Sequence, residues 1–474
     1  MKKAELIFFP SRGIGHLVST VELAQRLVER DDRLSATVLT LPATATSPYT
    51  ESLDSTLTQV RLISLPRVDL SGMENLSGES FISQFMDRHI TFVKDAITQR
   101  ISTDSVRLAG LVVDLFSTTI VDLADELGIP AYLYFTSGAA MLGVMLHLPN
   151  LVTDITEDLK DYPGELVIPS FVNSVPPLVL PKVLLNNKEN GYVWMLTHAR
   201  NFRRTKGIIV NTFVEIEPHA IHSFKVDSQI PPVYPVGPLL DLNGKFHSPS
   251  NRPQFDKIMR WLDQQPPSSV IFLCFGSRGS FSVSQTKEIA LGLERSGYRF
   301  LWSLRQPEPS KSRFAPPSDY SYTNLEEVLP DGFLNRTEGR GLVCGWSPQV
   351  EVLAHPATGG FLSHCGWNSI LESLWFGVPI LVWPLYAEQK LNAFRLVMEL
   401  GLAVEMGCVS RRNGDDFVKA EDVERGVRIM MDGDNEVRRK VKEIQERSRK
   451  AVAQGGSSFV SLGRLIHDVI ERIL

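Results

Sequence analysis

The sequence predicts an α/β protein made of two parallel-sheet domains in tandem. Short apolar runs of strand length alternate with segments of helical period along both halves of the chain. That alternation stops over a Pro-, Gly-, Asn- and Ser-rich stretch near the middle and then restarts. A length of 474 residues, 43% of them hydrophobic, exceeds one ordinary core and can fill two.

Residues 4–9 read as a buried strand, and STVELAQRLVER then places apolar residues at helical spacing behind a Ser19-x-x-Glu22 capping signal. His16 therefore falls just before the first helix. SATVLTL is the next strand; LAGLVVD (Leu108–Asp114), the helix TTIVDLADELG closed by Gly128, and the strand IPAYLYF follow. The aperiodic stretch from Val236 to Gln254 marks a linker, placed at 241–255 between a first domain of 1–240 and a second of 256–450. In the second domain SSVIFLCFGS, RFLWSL, GLVCGW and PILVWP read as strands and TKEIALGLERSG as a helix. QPEPSKSRFAPPSDYSYTN, residues 306–324, is expected to be a mobile loop rather than a boundary. The amphipathic SSFVSLGRLIHDVIERIL, within 451–474, is expected to pack back on the first domain. Parallel sheets bind ligands at the carboxyl ends of their strands, so facing sheets would form a cleft.

Composition removes several classes of partner. A net charge of −5, from 49 basic and 54 acidic residues, lacks the basic excess of nucleic-acid or membrane-surface binders. The N-terminus MKKAELIFFPSRGIGH has too short an apolar run for a signal peptide, and no stretch reaches the ~18 apolar residues of a membrane span. Cys274, Cys344, Cys365 and Cys408 show neither zinc nor disulfide spacing. A reduced, cytoplasmic compartment and a monomer are expected, and the sequons at Asn75 and Asn335 then carry no meaning.

Chemistry concentrates in GGFLSHCGWNSILES, Gly359–Ser373. A strand ends near Leu362, and Ser369-Ile-Leu-Glu372 matches a capping box ahead of the apolar helix positions Leu371, Leu374 and Trp375. A helix N-terminus aimed at a strand's carboxyl edge is an anion site. His364, Asn368 and Ser369 add donors, and Gly366 permits close backbone approach. On this stretch alone an ordinary β–α turn with a capping serine serves equally well.

The longer run from Trp346 to Gln389, WSPQVEVLAHPATGGFLSHCGWNSILESLWFGVPILVWPLYAEQ, resembles the signature box of plant secondary-product glycosyltransferases that use UDP-sugars. WxPQ, HCGWNS, GVP, WP and EQ occur in that order, and the likeness extends to GIGH near the start and FGS after the linker. The resemblance implies the GT-B fold, two Rossmann-like domains whose parallel sheets face across a cleft. It also implies roles: Trp346 stacks on uracil; Gln349 and Glu372 bind ribose; His364, Asn368 and Ser369 hold the diphosphate, with Gly366 in the same turn; Ser277 adds a contact from FGS; Glu388 and Gln389 bind sugar hydroxyls beside Trp367; and Thr136, in YFTSG, touches the sugar. Glu372 is thus claimed as cap and as ribose ligand. Ser363 and Ile370 depart from the usual residues without removing a donor, and Gln389 points to glucose.

Asp114 ends a strand and His16 follows another, so one carboxyl edge can bring them together. A satisfied turn histidine and a capping aspartate would look the same in sequence. The resemblance implies a general base and its orienting acid. The implied reaction is inverting transfer of glucose from UDP-glucose to a hydroxyl of a small hydrophobic acceptor such as a flavonoid, another phenolic or a terpenoid. Preorganised dipoles meet the charge on departing UDP, so no cofactor or metal is expected. Asp432-Gly433-Asp434 reads as a turn rather than a metal motif, and His219 with His222 as a surface-helix pair. A nucleotide-linked oxidoreductase is the competing reading of Gly13-x-Gly15, but Val18 and the strand end TLPAT fail its requirements. A sugar-nucleotide binder without turnover would not need His16 and Asp114. Acceptor contacts are expected from Pro66–Phe81, the region after Phe135 and Asp161–Tyr192, with Phe81, Phe85, Met141, Met145, Phe171 and Trp194 as apolar candidates.

Overall fold

The computed structural model describes residues 2–42, 60–102, 106–155, 157–242, 244, 251–307, 318–320, 322–407, 417–433 and 435–471. Cys408, Asp434, most of the expected linker and residues 308–317 of the expected loop lie outside the described residues. The chain divides into two compact units, Met1–Asp241 with Arg447–Leu474, and Leu242–Glu446. The second boundary falls inside the helix Glu436–Val452, a few residues ahead of the expected start at 451.

The first unit is built on a seven-stranded sheet with β1 (Lys3–Phe9), β2 (Leu34–Thr40), β3 (Val60–Ser64), β4 (Val106–Asp114), β5 (Ala131–Phe135), β6 (Ile208–Val210) and β7 (Val233–Pro235). Its order is β3-β2-β1-β4-β5-β6-β7, and every pairing is parallel. Strand order reverses between β1 and β4, the switch point at which such sheets open a crevice. β1 is buried from Ala4 to Phe9, as a strand covered on both faces must be. Glu5 is tolerated there because Arg100 pairs with it at 2.9 Å and the Thr37 hydroxyl donates to it at 2.7 Å. The terminal helix Ser457–Glu471 lies on β7. The Ser458 hydroxyl donates to the Gly237 carbonyl at 2.6 Å, Tyr234 donates to Asp468, and the Arg30 guanidinium sits 3.6 Å over the Phe459 ring.

The second unit holds β8 (Val270–Cys274), β9 (Arg299–Ser303), β12 (Gly341–Cys344), β13 (Thr358–Ser363), β14 (Ile380–Val382) and β15 (Ala403–Glu405) in the order β12-β9-β8-β13-β14-β15, again wholly parallel. Its switch point lies between β8 and β13. Inside the expected loop, β10 (Arg305–Gln306) and β11 (Ser318–Asp319) form a short antiparallel ribbon. Asp319 of that ribbon accepts the Trp346 backbone N–H at 3.1 Å.

Two capping expectations are corrected. The first helix is Ile14–Arg30 with Gly13 as its N-cap, so His16 lies in its first turn rather than before it. Ser19 is interior, and its hydroxyl donates back to the Gly15 and His16 carbonyls. The helix after β13 is Trp367–Phe376 with Gly366 as N-cap and no side-chain cap. Ser369 and Glu372 are therefore not a capping box. In both cases the apolar period is legible, but it does not tell the chain which turn begins the helix.

Candidate active site

In the first unit the register pairs Phe9 with Val113, which leaves Asp114 at the carboxyl edge directly beside the exit of β1. The chain leaving β1 enters the Ile14–Arg30 helix, and its first turn turns His16 onto that edge. His16 Nδ1 lies 2.7 Å from Asp114 Oδ2. Asp114 is buried, while His16 keeps a quarter of its side chain exposed. A carboxylate only accepts, so Nδ1 carries the proton and Nε2 is the basic end of the ring. The carboxylate is itself held: the Ser11 hydroxyl donates to Oδ1 at 2.5 Å and the Phe116 N–H at 3.2 Å. The Thr136 hydroxyl, at the end of β5, lies 3.2 Å from His16 Nδ1. Two opposed fields act on the ring, since the helix N-terminus disfavours the imidazolium and Asp114 favours it.

In the second unit β13 delivers its chain into the turn Ser363–Gly366. Cys365 has φ of 63°, a left-handed conformation rare for a residue with a side chain. Hydrogen bonds hold it there: the Ser363 hydroxyl accepts the Cys365 N–H at 3.2 Å, and the Asn392 amide donates to the Cys365 carbonyl at 3.0 Å. The Trp367–Phe376 helix starts immediately, and a first turn presents N–H groups beyond the reach of the helix's own carbonyls. His364 is buried against this turn, and burial pushes it down to about 4, so it is a neutral imidazole. Its Nε2 edge fits between two glycines: a Cβ on Gly276 or on Gly366 would stand 2.6 Å from it. That close approach, rather than backbone freedom, accounts for Gly366, whose φ is −63°. Ser277 follows on the exposed turn after β8.

Gln349 opens the helix after Trp346, and its amide donates to the Ser369 hydroxyl at 2.8 Å and to Glu372 Oε2 at 2.6 Å. Both expected ribose ligands are thus joined, and Ser369, accepting from Gln349, directs its own proton elsewhere. Gln389 is buried, and its Oε1 accepts the Leu385 and Tyr386 N–H groups at 2.9 Å each. Two backbone donors fix the amide's orientation, which leaves its NH₂ as the donor end, with Tyr386 as a side-chain partner. Glu388, half-buried, precedes it as the helix N-cap.

Residues 221–420 match the family model UDP-glucoronosyl and UDP-glucosyl transferase. The chain is 52% identical to UDP-glycosyltransferase 71K2 of Pyrus communis, with 99% of this chain and 98% of that one covered. It is 50% identical to UDP-glucose flavonoid 3-O-glucosyltransferase 6 of Fragaria ananassa, covering 99% of each. The chain belongs to the plant UDP-glycosyltransferases. Its fold is the family's GT-B fold: UGT71G1 of Medicago truncatula, crystallised with UDP-glucose, superposes with a TM-score of 0.87 at 45% identity over 98% of both chains.

Membership makes this chain a glycosyltransferase enzyme and removes both the oxidoreductase and the binder without turnover. Sequence reasoning about this transferase missed Ser11 and Phe116, which hold Asp114, and Asn392, which holds the Cys365 carbonyl in the turn between His364 and Gly366. Of the apolar acceptor candidates, Phe81, Phe85, Met141, Met145 and Phe171 are buried, and Trp194 is half-buried. His219 bonds the Pro169 carbonyl at 3.1 Å, and Asp432 accepts the Tyr298 hydroxyl. Among the described residues no group of three or more His, Cys, Asp or Glu is assembled to hold a metal. Among those residues, too, no helix is long and apolar enough to cross a membrane.

Proposed function

We propose that this enzyme transfers glucose from UDP-glucose, with inversion, to a hydroxyl of a small apolar acceptor of the phenolic or terpenoid class. The observation that carries the reading is the 2.7 Å contact of His16 Nδ1 with an Asp114 carboxylate that Ser11 and Phe116 hold in place. His16 Nε2 takes the acceptor's proton as its oxygen bonds the anomeric carbon; the bond from that carbon to the β-phosphate oxygen breaks, and its electron pair leaves with UDP from the opposite face. Asp114 stabilises the imidazolium so formed. The Trp367–Phe376 helix N-terminus, with His364, Asn368 and Ser369, meets the charge on the departing diphosphate, so no step is routed through a metal. Trp346 offers its indole face to uracil, Gln349 with Glu372 binds ribose, and Glu388 with the Gln389 amide binds sugar hydroxyls. Ser277, Trp367 and Thr136 complete the donor contacts.

The flavonoid 3-O-glucosyltransferase named above and Phytolacca americana UGT2, whose structure is complexed with UDP-2fluoro-glucose and pterostilbene, support the donor and the acceptor class. The test is His16→Ala in transfer assays with a phenolic acceptor panel. Turnover should fall by ~10²–10⁴ while UDP affinity stays near that of the parent. Unchanged turnover would remove His16 as the base. Activity should be equal with and without chelator, and its loss on chelation would restore a metal to the mechanism.

A further inference from the structure

The first unit contains a second histidine that the proposed mechanism does not use. His198 is fully buried on the helix Asn190–Phe202, and both its ring nitrogens are engaged across long sequence distances. Nε2 lies 2.9 Å from the Ser83 hydroxyl and Nδ1 lies 2.7 Å from the Thr118 hydroxyl. Its ring meets the Phe116 ring edge-on at 6.1 Å and stacks on Trp194 at 5.8 Å. From the same helix the Asn201 amide donates to the Thr118 carbonyl at 3.3 Å.

Thr118 and Phe116 belong to the turn that begins at Asp114. Within it the Ser117 hydroxyl accepts the Asp114 N–H at 2.9 Å, the Phe116 N–H donates to the Asp114 carboxylate, and the Phe116 ring stands 6.2 Å from the His16 ring. On its far side the Thr119 hydroxyl donates to Asp87 at 2.5 Å. The orienting carboxylate thus sits on a short irregular segment, and a buried imidazole, His198, is bonded to that segment. A neutral ring suits the task, because it offers one N–H and one lone pair to two hydroxyls and adds no charge beside Asp114. Burial pushes His198 down to about 4, which keeps it neutral throughout the physiological range.

We propose that His198 is a positioning residue, which clamps the Asp114–Thr118 turn to the Asn190–Phe202 helix and so holds the Asp114 carboxylate on His16. This rests on the His16–Asp114 reading above. His198→Phe keeps the aromatic packing and removes both hydrogen bonds; Thr118→Val removes the contact from the turn's side. Each should lower kcat roughly 10- to 100-fold, as expected when a reacting geometry loosens, with KM for UDP-glucose within about twofold. The acidic limb of the pH–rate profile should also move to lower pH, since a loosened Asp114 favours the His16 imidazolium less. His198→Gln, which can still reach one hydroxyl, should recover part of the rate, and it keeps the test available if the phenylalanine variant does not fold. A purely structural role would lower the melting temperature without moving the limb. The inference is overturned if folded His198→Phe or Thr118→Val keeps parental kcat and an unmoved limb while His16→Ala is inactive. An active His16→Ala variant would instead overturn the mechanism beneath it.

Discussion

Gly366→Ala tests the proposed diphosphate site most directly. Gly366 has φ of −63° and ψ of 140°, which alanine adopts without strain, so the substitution acts through space alone. The new Cβ would stand 2.6 Å from His364 Nε2, 3.2 Å from Cε1 and 3.3 Å from Cδ2. Ordinary contact requires the ring to retreat by roughly 0.8 Å, in a site where it is already buried. A shift of that size would break the hydrogen bond proposed between His364 and a charged phosphate, costing about 1.5–3 kcal/mol, or ~10- to 100-fold in UDP affinity. Calorimetric titration with UDP measures this for Gly366→Ala, His364→Ala and the double variant. If the ring transmits the whole effect, Gly366→Ala should cost nothing further once His364 is alanine. Additive losses, or parental affinity in Gly366→Ala, would refute the reasoning. Gly276→Ala makes the same 2.6 Å contact at φ of 72°, so it should lower stability by about 1–2 kcal/mol as well.

Acid should destabilise the fold through its buried histidines. His198 and His364 are each pushed from 6.5 to about 4, so the unfolded chain binds their protons first; their contribution is fully present above pH 6.5 and is lost as pH falls toward 4. At pH 5 the loss is about 2 kcal/mol for each, read as a fall in denaturant midpoint between pH 7.5 and 5, and His364→Ala should show a shallower fall. Glu217→Ala should be strongly destabilising, by about 3 kcal/mol or more on denaturant unfolding. That buried carboxylate accepts the Ala139 and Ala140 N–H groups at the start of the helix after β5, at 2.6 and 2.9 Å, together with the Thr212 hydroxyl.

Much of the fold and part of the site are legible in the sequence because their signals are local. LAGLVVD ends on Asp114 and the first strand hands over to Gly13–His16, so the topology of a parallel sheet already allows those two side chains to meet. The box from Trp346 to Gln389 likewise is one chain segment, running through the adjacent strands β13 and β14 of one sheet. Where a signal depended on register it misled: Ser19-x-x-Glu22 and Ser369-x-x-Glu372 match a capping box in spacing, yet each helix begins earlier, at a glycine cap. Glu217 reads as an ordinary polar residue in VEIEPHA, and nothing nearby in sequence shows that it caps a helix some 80 residues upstream.

By itself the amino-acid sequence determined the alternating strands and helices, the two-domain plan, the family and the residue types at its site, since periodicity and motif spacing lie along the chain. Only the tertiary structure decided that His16 Nδ1 faces Asp114, that Gln349 binds Ser369 and Glu372, that two glycines enclose the His364 ring and that His198 underpins the Asp114 turn. Hydrogen-bond direction and desolvation are set by what surrounds a group in space, and those surroundings come from segments distant in sequence.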